Sequence, residues 1–212
     1  MRPPDSWSSA RVTLVVTLAT AAAWLIVWML GADGLAAVWG GFIPARIGAV
    51  GDEALAPIWL TPLTATLVHA NFAHVALNLL ILVFCGRPTE GVLGPVNIVI
   101  LYVLGAYAAA AAQWVVQPDS TVPMIGASGA ISAVLGAYSI LFGRNKVRVA
   151  NPTVARWLNA LWLMVAWVVL QIVVGITFAS AGIGVAIAAH IGGFAIGLLL
   201  ANPLLLFRYR RA

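Results

Sequence analysis

Six apolar stretches follow one another along the chain, each separated from the next by a shorter connection carrying charges, glycines or prolines. Runs of roughly 17 to 25 apolar residues are what a helix needs to cross about 30 Å of hydrocarbon. The pattern predicts transmembrane helices near 12–31, 66–86, 94–116, 128–143, 157–178 and 184–207. Composition agrees: 63% of the 212 residues are hydrophobic and 8% charged, with a mean hydropathy of +1.03, against roughly 25% charged residues in soluble domains. The chain reads as a single all-α membrane domain over 1–212, without an internal repeat or low-complexity tract.

Charge placement gives the expected orientation. With six spans, the N-terminus, the loops at 87–93 and 144–156 and the C-terminus share one side. That side holds Arg2, Arg11, Arg87, Arg144, Lys146, Arg148, Arg156, Arg208, Arg210 and Arg211, all of the 11 basic residues except Arg46. Positive loops stay cytoplasmic, so both termini are expected there. Removing the first span as a signal peptide would leave the arginine-rich C-terminus outside, and the charge pattern therefore argues against cleavage. The net charge of +5 is spread over these loops with no soluble basic domain, which excludes nucleic-acid binding. Cys85, the one cysteine, lies in an apolar run and is read as a packing residue. The outward segment 32–65 carries Trp39, Phe42, Ile43, Ile47 and Trp59 among glycines and prolines, as a loop in the membrane interface would. The fifth span, with Trp157, Trp162 and Trp167, has the look of a lipid-facing element.

Against this background the polar residues inside the spans stand out. The six carboxylates, Asp5, Asp33, Asp52, Glu53, Glu90 and Asp119, all fall outside the predicted spans, which disfavours a proton relay or ion pathway. The spans instead contain His74 and Asn78, Ser128 in GASGA, His190 in AAHIGG, and Gln171; His69 lies near the start of the second span. Gln171 and His69 are read as structural. Counting from the basic anchor of each helix at 1.5 Å per residue, Ser128 lies about 24 Å above Arg144 and His190 about 27 Å above Arg208. His74 and Asn78 lie about 20 and 14 Å above Arg87. Three helices thus bring polar groups to a similar outer level. The fourth span is short, so the loop near 117–127 must dip into the membrane to reach Ser128, and such backbone is tolerated only beside protein or water. A hydrated cavity open to the outside is the consequence.

Small residues offer a means of assembly. Ala189, Gly193, Gly197 and Ala201 recur every four positions in the sixth span, and Gly129, Ala133 and Gly136 form a matching stripe in the fourth. Two such stripes let helices touch backbone to backbone, which would bring Ser128 and His190 together. A serine hydroxyl becomes a useful nucleophile when a neighbouring base takes its proton. Here the pair would be a Ser/His dyad without a carboxylate. The oxyanion formed on attack needs donors: Asn78 and His74, one turn apart, and the backbone N–H of Ser128 at a helix start are the candidates. GASGA is not the G-x-S-x-G elbow of soluble hydrolases. His69, His74 and His190 have no neighbouring acid or thiolate, so neither a metal nor another cofactor is expected.

Three motifs in order, HVALN at 74–78, GASG at 126–129 and AHIGG at 189–193, resemble the rhomboid family of intramembrane serine proteases. The resemblance extends from about residue 59 to 201. It implies a six-transmembrane-helix, bacterial-type bundle in the inner (cell) membrane, with Ser128 as nucleophile, His190 as general base, and an oxyanion site from His74, Asn78 and the Ser128 backbone. The substrate it implies is a transmembrane segment of another membrane protein, unwound locally. His69 matches a further family histidine and Glu90 a structural glutamate of the cytoplasmic loop. Two positions depart from the family pattern: Leu60 follows Trp59 where many members carry arginine, and Ser132 stands where many place a tyrosine beneath the histidine ring. The second departure leaves open how His190 is held. A non-catalytic rhomboid-like protein that binds client segments is the alternative; it would ordinarily lack the serine or the base, and both are present.

Overall fold

A computed structural model describes residues 10–48, 55–143, 151–177 and 186–210. Arg2, Asp5, Asp52, Glu53, Arg144, Lys146, Arg148 and Arg211 lie outside the described residues. The helices are α1 (Arg11–Met29), α2 (Asp33–Gly40), α3 (Thr61–Thr64), α4 (Phe72–Ile81), α5 (Arg87–Leu93), α6 (Pro95–Val116), α7 (Ser128–Phe142), α8 (Pro152–Thr177) and α9 (Ile187–Tyr209). Among the described residues, five stretches are long and apolar enough to span a membrane: α1, the run Phe72–Leu93, α6, α8 and α9. The remaining predicted span, the fourth, is α7, a shorter apolar helix of 15 residues.

One boundary differs from expectation. Residues 87–93, read as a cytoplasmic loop, are helical and continue α4 through a π turn at Leu82–Gly86. Pro88 has no N–H to return to a carbonyl four residues back, and the wider turn just ahead of it carries the helix past that break. Gly94, at φ 85°, then ends the run in a conformation natural to glycine. Glu90 therefore lies inside a helical run rather than beyond it. Its carboxylate is buried and accepts from the backbone N–H groups of Val12 and Thr13, at 2.9 and 2.7 Å, and from Thr13 Oγ1 at 2.7 Å. The first turn of α1 has no intrahelical acceptors for its N–H groups; Glu90 supplies them and locks α1 to α5.

The centre of the molecule is α7, with eleven of its residues buried. It packs against α9 through the predicted stripes, and against α6 as well. A Cβ at Gly193 would strike the carbonyl oxygen of Gly129, one at Gly197 that of Ala133, and one at Gly136 that of Phe194. The facing side of α6 fits in the same way, since a Cβ at Gly105 would lie 2.5 Å from the Ala133 methyl and one at Gly129 2.5 Å from the Ala109 methyl. Close approach replaces the hydrophobic driving force that water would supply. Cys85 is buried in this core beside Leu82, Ile131 and Leu135, as its apolar setting suggested.

The long connection between α1 and α4 is more structured than a loop. It folds into α2, a 3-10 turn at Pro44–Arg46, and α3 with its following 3-10 turn, Ala65–Leu67. Phe42 forms an isolated antiparallel bridge with Met124, at 3.0 and 2.8 Å, which ties this segment to the connection leading into α7. Of the apolar residues expected at the membrane interface, Trp39, Ile47 and Trp59 are exposed, whereas Phe42 and Ile43 are buried, Phe42 through its bridge to Met124.

Candidate active site

His74, Ser128 and His190 each lie in the first turn of a helix, whereas Asn78 lies further along α4, Gln171 lies far along α8 and His69 precedes α4 outside any helix. Asn71 caps α4 by accepting from the backbone N–H of His74 at 2.9 Å, the usual task of an N-cap side chain. That places His74 in the first turn and Asn78 one turn deeper. Gly126, at φ 106°, turns the chain into α7; its N–H donates to the Ala65 carbonyl at 2.9 Å. Ser128 is the first residue of α7, where the N–H groups point away from the helix without intrahelical acceptors. His190 occupies the first turn of α9, four residues after Ala186, whose carbonyl accepts its N–H at 3.3 Å.

The stripe contact between α7 and α9 leaves Ser128 Oγ and His190 Nε2 2.8 Å apart, with both residues more than nine-tenths buried. At that separation the hydroxyl donates to Nε2 when the ring proton is on Nδ1. His190 Nδ1 has no hydrogen-bond partner among the described residues, and no carboxylate among them orients this ring. The serine and the histidine that the sequence reading paired are thus in hydrogen-bond contact.

The candidate oxyanion donors besides the Ser128 N–H are the His74 ring and the Asn78 amide. The His74 ring lies directly against Gly126: a Cβ there would come 2.6 Å from Nε2. Asn78 donates to the His74 carbonyl at 2.8 Å, which uses one of the two N–H bonds of its amide. His69 is buried, stacks edge-on with His74 at 4.9 Å between centroids, and accepts the N–H of Ala127 at 3.3 Å. Its structural reading gains content here: it holds the residue preceding Ser128.

Residues 117–127 run between α6 and α7 without helix, as the short fourth span required. Beside them opens a cavity of about 580 Å³ lined by Gln113, Gln117, Asp119, Ser120, Met124 and Ala186 among others. It reaches the turn before Ser128 and the turn before His190. Among the described residues no group of three or more His, Cys, Asp or Glu is disposed to hold a metal.

Two neighbours of the dyad were not anticipated in that role. Trp167 was grouped with the outward tryptophans of the fifth span; Trp157 and Trp162 are exposed, but Trp167 is buried, with its ring edge-on to His190 at 6.1 Å between centroids and 62° between planes. Gln171 has its amide nitrogen 3.4 Å from His190 Nε2. The available signal was their spacing: four residues apart, they share a helix face, and one of them is a polar residue in a lipid-length run.

The profile of the family described as Rhomboid domain matches residues 57–207. The chain is 29% identical over 168 residues to Rhomboid protease AarA of Providencia stuartii, covering 72% of this chain and 58% of that protein. It is 36% identical over 76 residues to Rhomboid-related protein 3 of Homo sapiens, covering 36% of this chain and 18% of that protein. It is 34% identical over 84 residues to Rhomboid-like protein 11, chloroplastic, of Arabidopsis thaliana, covering 40% and 29%. In each case the chain spans less than two thirds of the relative's length. A helical bundle of apolar, membrane-length segments, the three motifs at one end of it, and a family profile over most of its length identify this chain as a multi-pass membrane protein of the rhomboid family.

Proposed function

We propose that the chain is an intramembrane serine endopeptidase that cleaves transmembrane segments of other membrane proteins, with Ser128 as nucleophile and His190 as general base. The observation that carries the reading is the 2.8 Å contact between Ser128 Oγ and His190 Nε2 at a buried helix start. As Oγ attacks the scissile carbonyl carbon, its proton passes to Nε2 and the imidazole becomes an imidazolium. The carbonyl oxygen takes up negative charge beside the Ser128 N–H, the Asn78 amide and the His74 ring, donors already in place. Collapse breaks the C–N bond, and Nε2–H gives its proton to the leaving amine. Water then attacks the acyl-serine, losing a proton to His190; the C–Oγ bond breaks as Nε2–H returns that proton to Oγ, which releases the carboxylic acid product and restores Ser128.

Water for that second step enters from the cavity beside residues 117–124, and no metal or cofactor takes part. The basic loops support an orientation with both termini cytoplasmic, and in a bacterial-type inner membrane, which the family resemblance implies, cleavage would then occur toward the opposite face. The substrate is a helix that unwinds easily, since its carbonyl must leave the helical hydrogen-bond ladder to meet Oγ. Ser128→Ala is expected to abolish cleavage of a reconstituted single-span substrate, a loss of roughly a thousandfold or more, while leaving the thermal unfolding midpoint in detergent unchanged. Cleavage at the wild-type rate by that variant would remove Ser128 from the mechanism.

A further inference from the structure

His190 needs an orienting partner, and the usual sources are missing. Its Nδ1 meets no acceptor among the described residues, and Ser132, one turn after Ser128 on α7, is too small to support an imidazole. The support comes instead from α8. Trp167 lies against the ring of His190, and its indole N–H donates to Ser132 Oγ at 2.7 Å. Ser132 Oγ in turn donates to the Ser128 carbonyl at 2.7 Å. This run of two hydrogen bonds fixes the indole relative to the backbone of the nucleophile itself. One turn along the same face, the Gln171 amide approaches His190 Nε2, the atom that contacts Ser128 Oγ. All four side chains are buried.

We propose that Trp167 and Gln171 are positioning residues that hold the His190 imidazole against Ser128, with Ser132 anchoring the indole, so that the dyad is complete only while α8 is docked on α7 and α9. The inference rests on the Ser128/His190 reading given above. Trp167 replaces from one helix the aromatic support absent from another. Gln171 bounds the ring on the side of its reacting nitrogen and has an amide carbonyl that can turn to accept Nε2–H once the imidazolium forms. Two contacts on one face of one helix make the base sensitive to where that helix sits, and a misplacement of about 1 Å at a reacting group costs on the order of 100-fold in rate.

The test is the rate at which a fluorophosphonate labels Ser128 in the full-length protein, measured beside kcat and KM on a reconstituted substrate. The probe is small and reports on the nucleophile without substrate unwinding. Trp167→Ala is expected to lower the labelling rate and kcat by roughly 10- to 100-fold with KM unchanged. Trp167→Phe, which keeps a ring there, should stay within about threefold of the wild type. Gln171→Ala is expected to lower both rates by about three- to tenfold, within the usual contribution of a positioned polar group. The compensating double variant Trp167→Ala with Ser132→Tyr, which returns an aromatic ring from α7, should recover part of the lost labelling.

Wild-type labelling in Trp167→Ala, or a loss confined to KM, would overturn the proposal. Where Trp167→Ala fails to fold, Gln171→Ala and Trp167→Phe decide it: equal wild-type labelling in Gln171→Ala and a collapse in Trp167→Phe would overturn it as well. Absence of labelling in the wild type itself is a different result, because it removes the Ser128/His190 reading before positioning is at issue.

Discussion

The contact of α7 with α9 and the contact of α7 with α8 are built on opposite principles. At the first, three glycines bring backbone against backbone, and any side chain would collide with a carbonyl. At the second, α8 turns Leu161, Trp162, Val165, Val169 and Val173 outward; among its described side chains only Ala155, Ala160, Trp167 and Gln171 are buried. A backbone seam has two positions, closed or broken, whereas a side-chain contact can be remade after a shift. Ser128 and His190 lie beside this close-packed seam, and Trp167 and Gln171, which neighbour His190, come from the helix with few buried side chains. On the proposal above, the separation of Ser128 from His190 and the orientation of the imidazole are set by different parts of the fold.

Filling the seam is the severest way to break this comparison. Gly193→Leu would drive a branched side chain into the Gly129 carbonyl, and forcing α7 and α9 apart is expected to cost more than the 1–3 kcal/mol of ordinary overpacking. Fluorophosphonate labelling should disappear and the thermal unfolding midpoint should fall; a variant that labels normally would show that the seam does not set the dyad. Gly126→Ala comes next. It combines a positive φ with a Cβ directed at His74 Nε2, and strain of about 1–3 kcal/mol should appear as a lower kcat, with a smaller loss of stability than Gly193→Leu produces. Glu90→Gln lies at the far end of the molecule. Losing charge from an acceptor of three hydrogen bonds should lower stability by about 1–3 kcal/mol in thermal unfolding, while kcat measured below the transition stays near wild type. Trp162→Ala, on the outward face of the same helix as Trp167, is expected to change stability by no more than about 0.5 kcal/mol and labelling not at all. A large loss of labelling there would mean that α8 acts as a whole rather than through its inner face.

Much of this arrangement was legible in the sequence because membrane helices punish polar residues and reward small ones. His74, Asn78, Ser128 and His190 stood out for the cost of placing them in lipid, and the glycine and alanine stripes named the pair of helices that would meet. What stayed hidden depends on finer geometry. A four-residue helix such as α3 has no periodicity to read, and the π turn at Leu82–Gly86 leaves no compositional trace beyond the proline after it. Glu90 was placed in a loop for that reason, although its structural role was expected from the resemblance. Trp167 could not be told from Trp157 and Trp162 by residue type; only the register of α8 against α7 decides which tryptophan faces His190.

The central claim is that Ser128 is made nucleophilic by His190, and mass spectrometry of the intact protein after treatment with a fluorophosphonate tests it most directly. The account predicts a single covalent adduct, mapped to the peptide containing Ser128, and none in Ser128→Ala or His190→Ala at matched thermal stability. An adduct that persists in His190→Ala at the wild-type rate, or that maps to another residue, would contradict it.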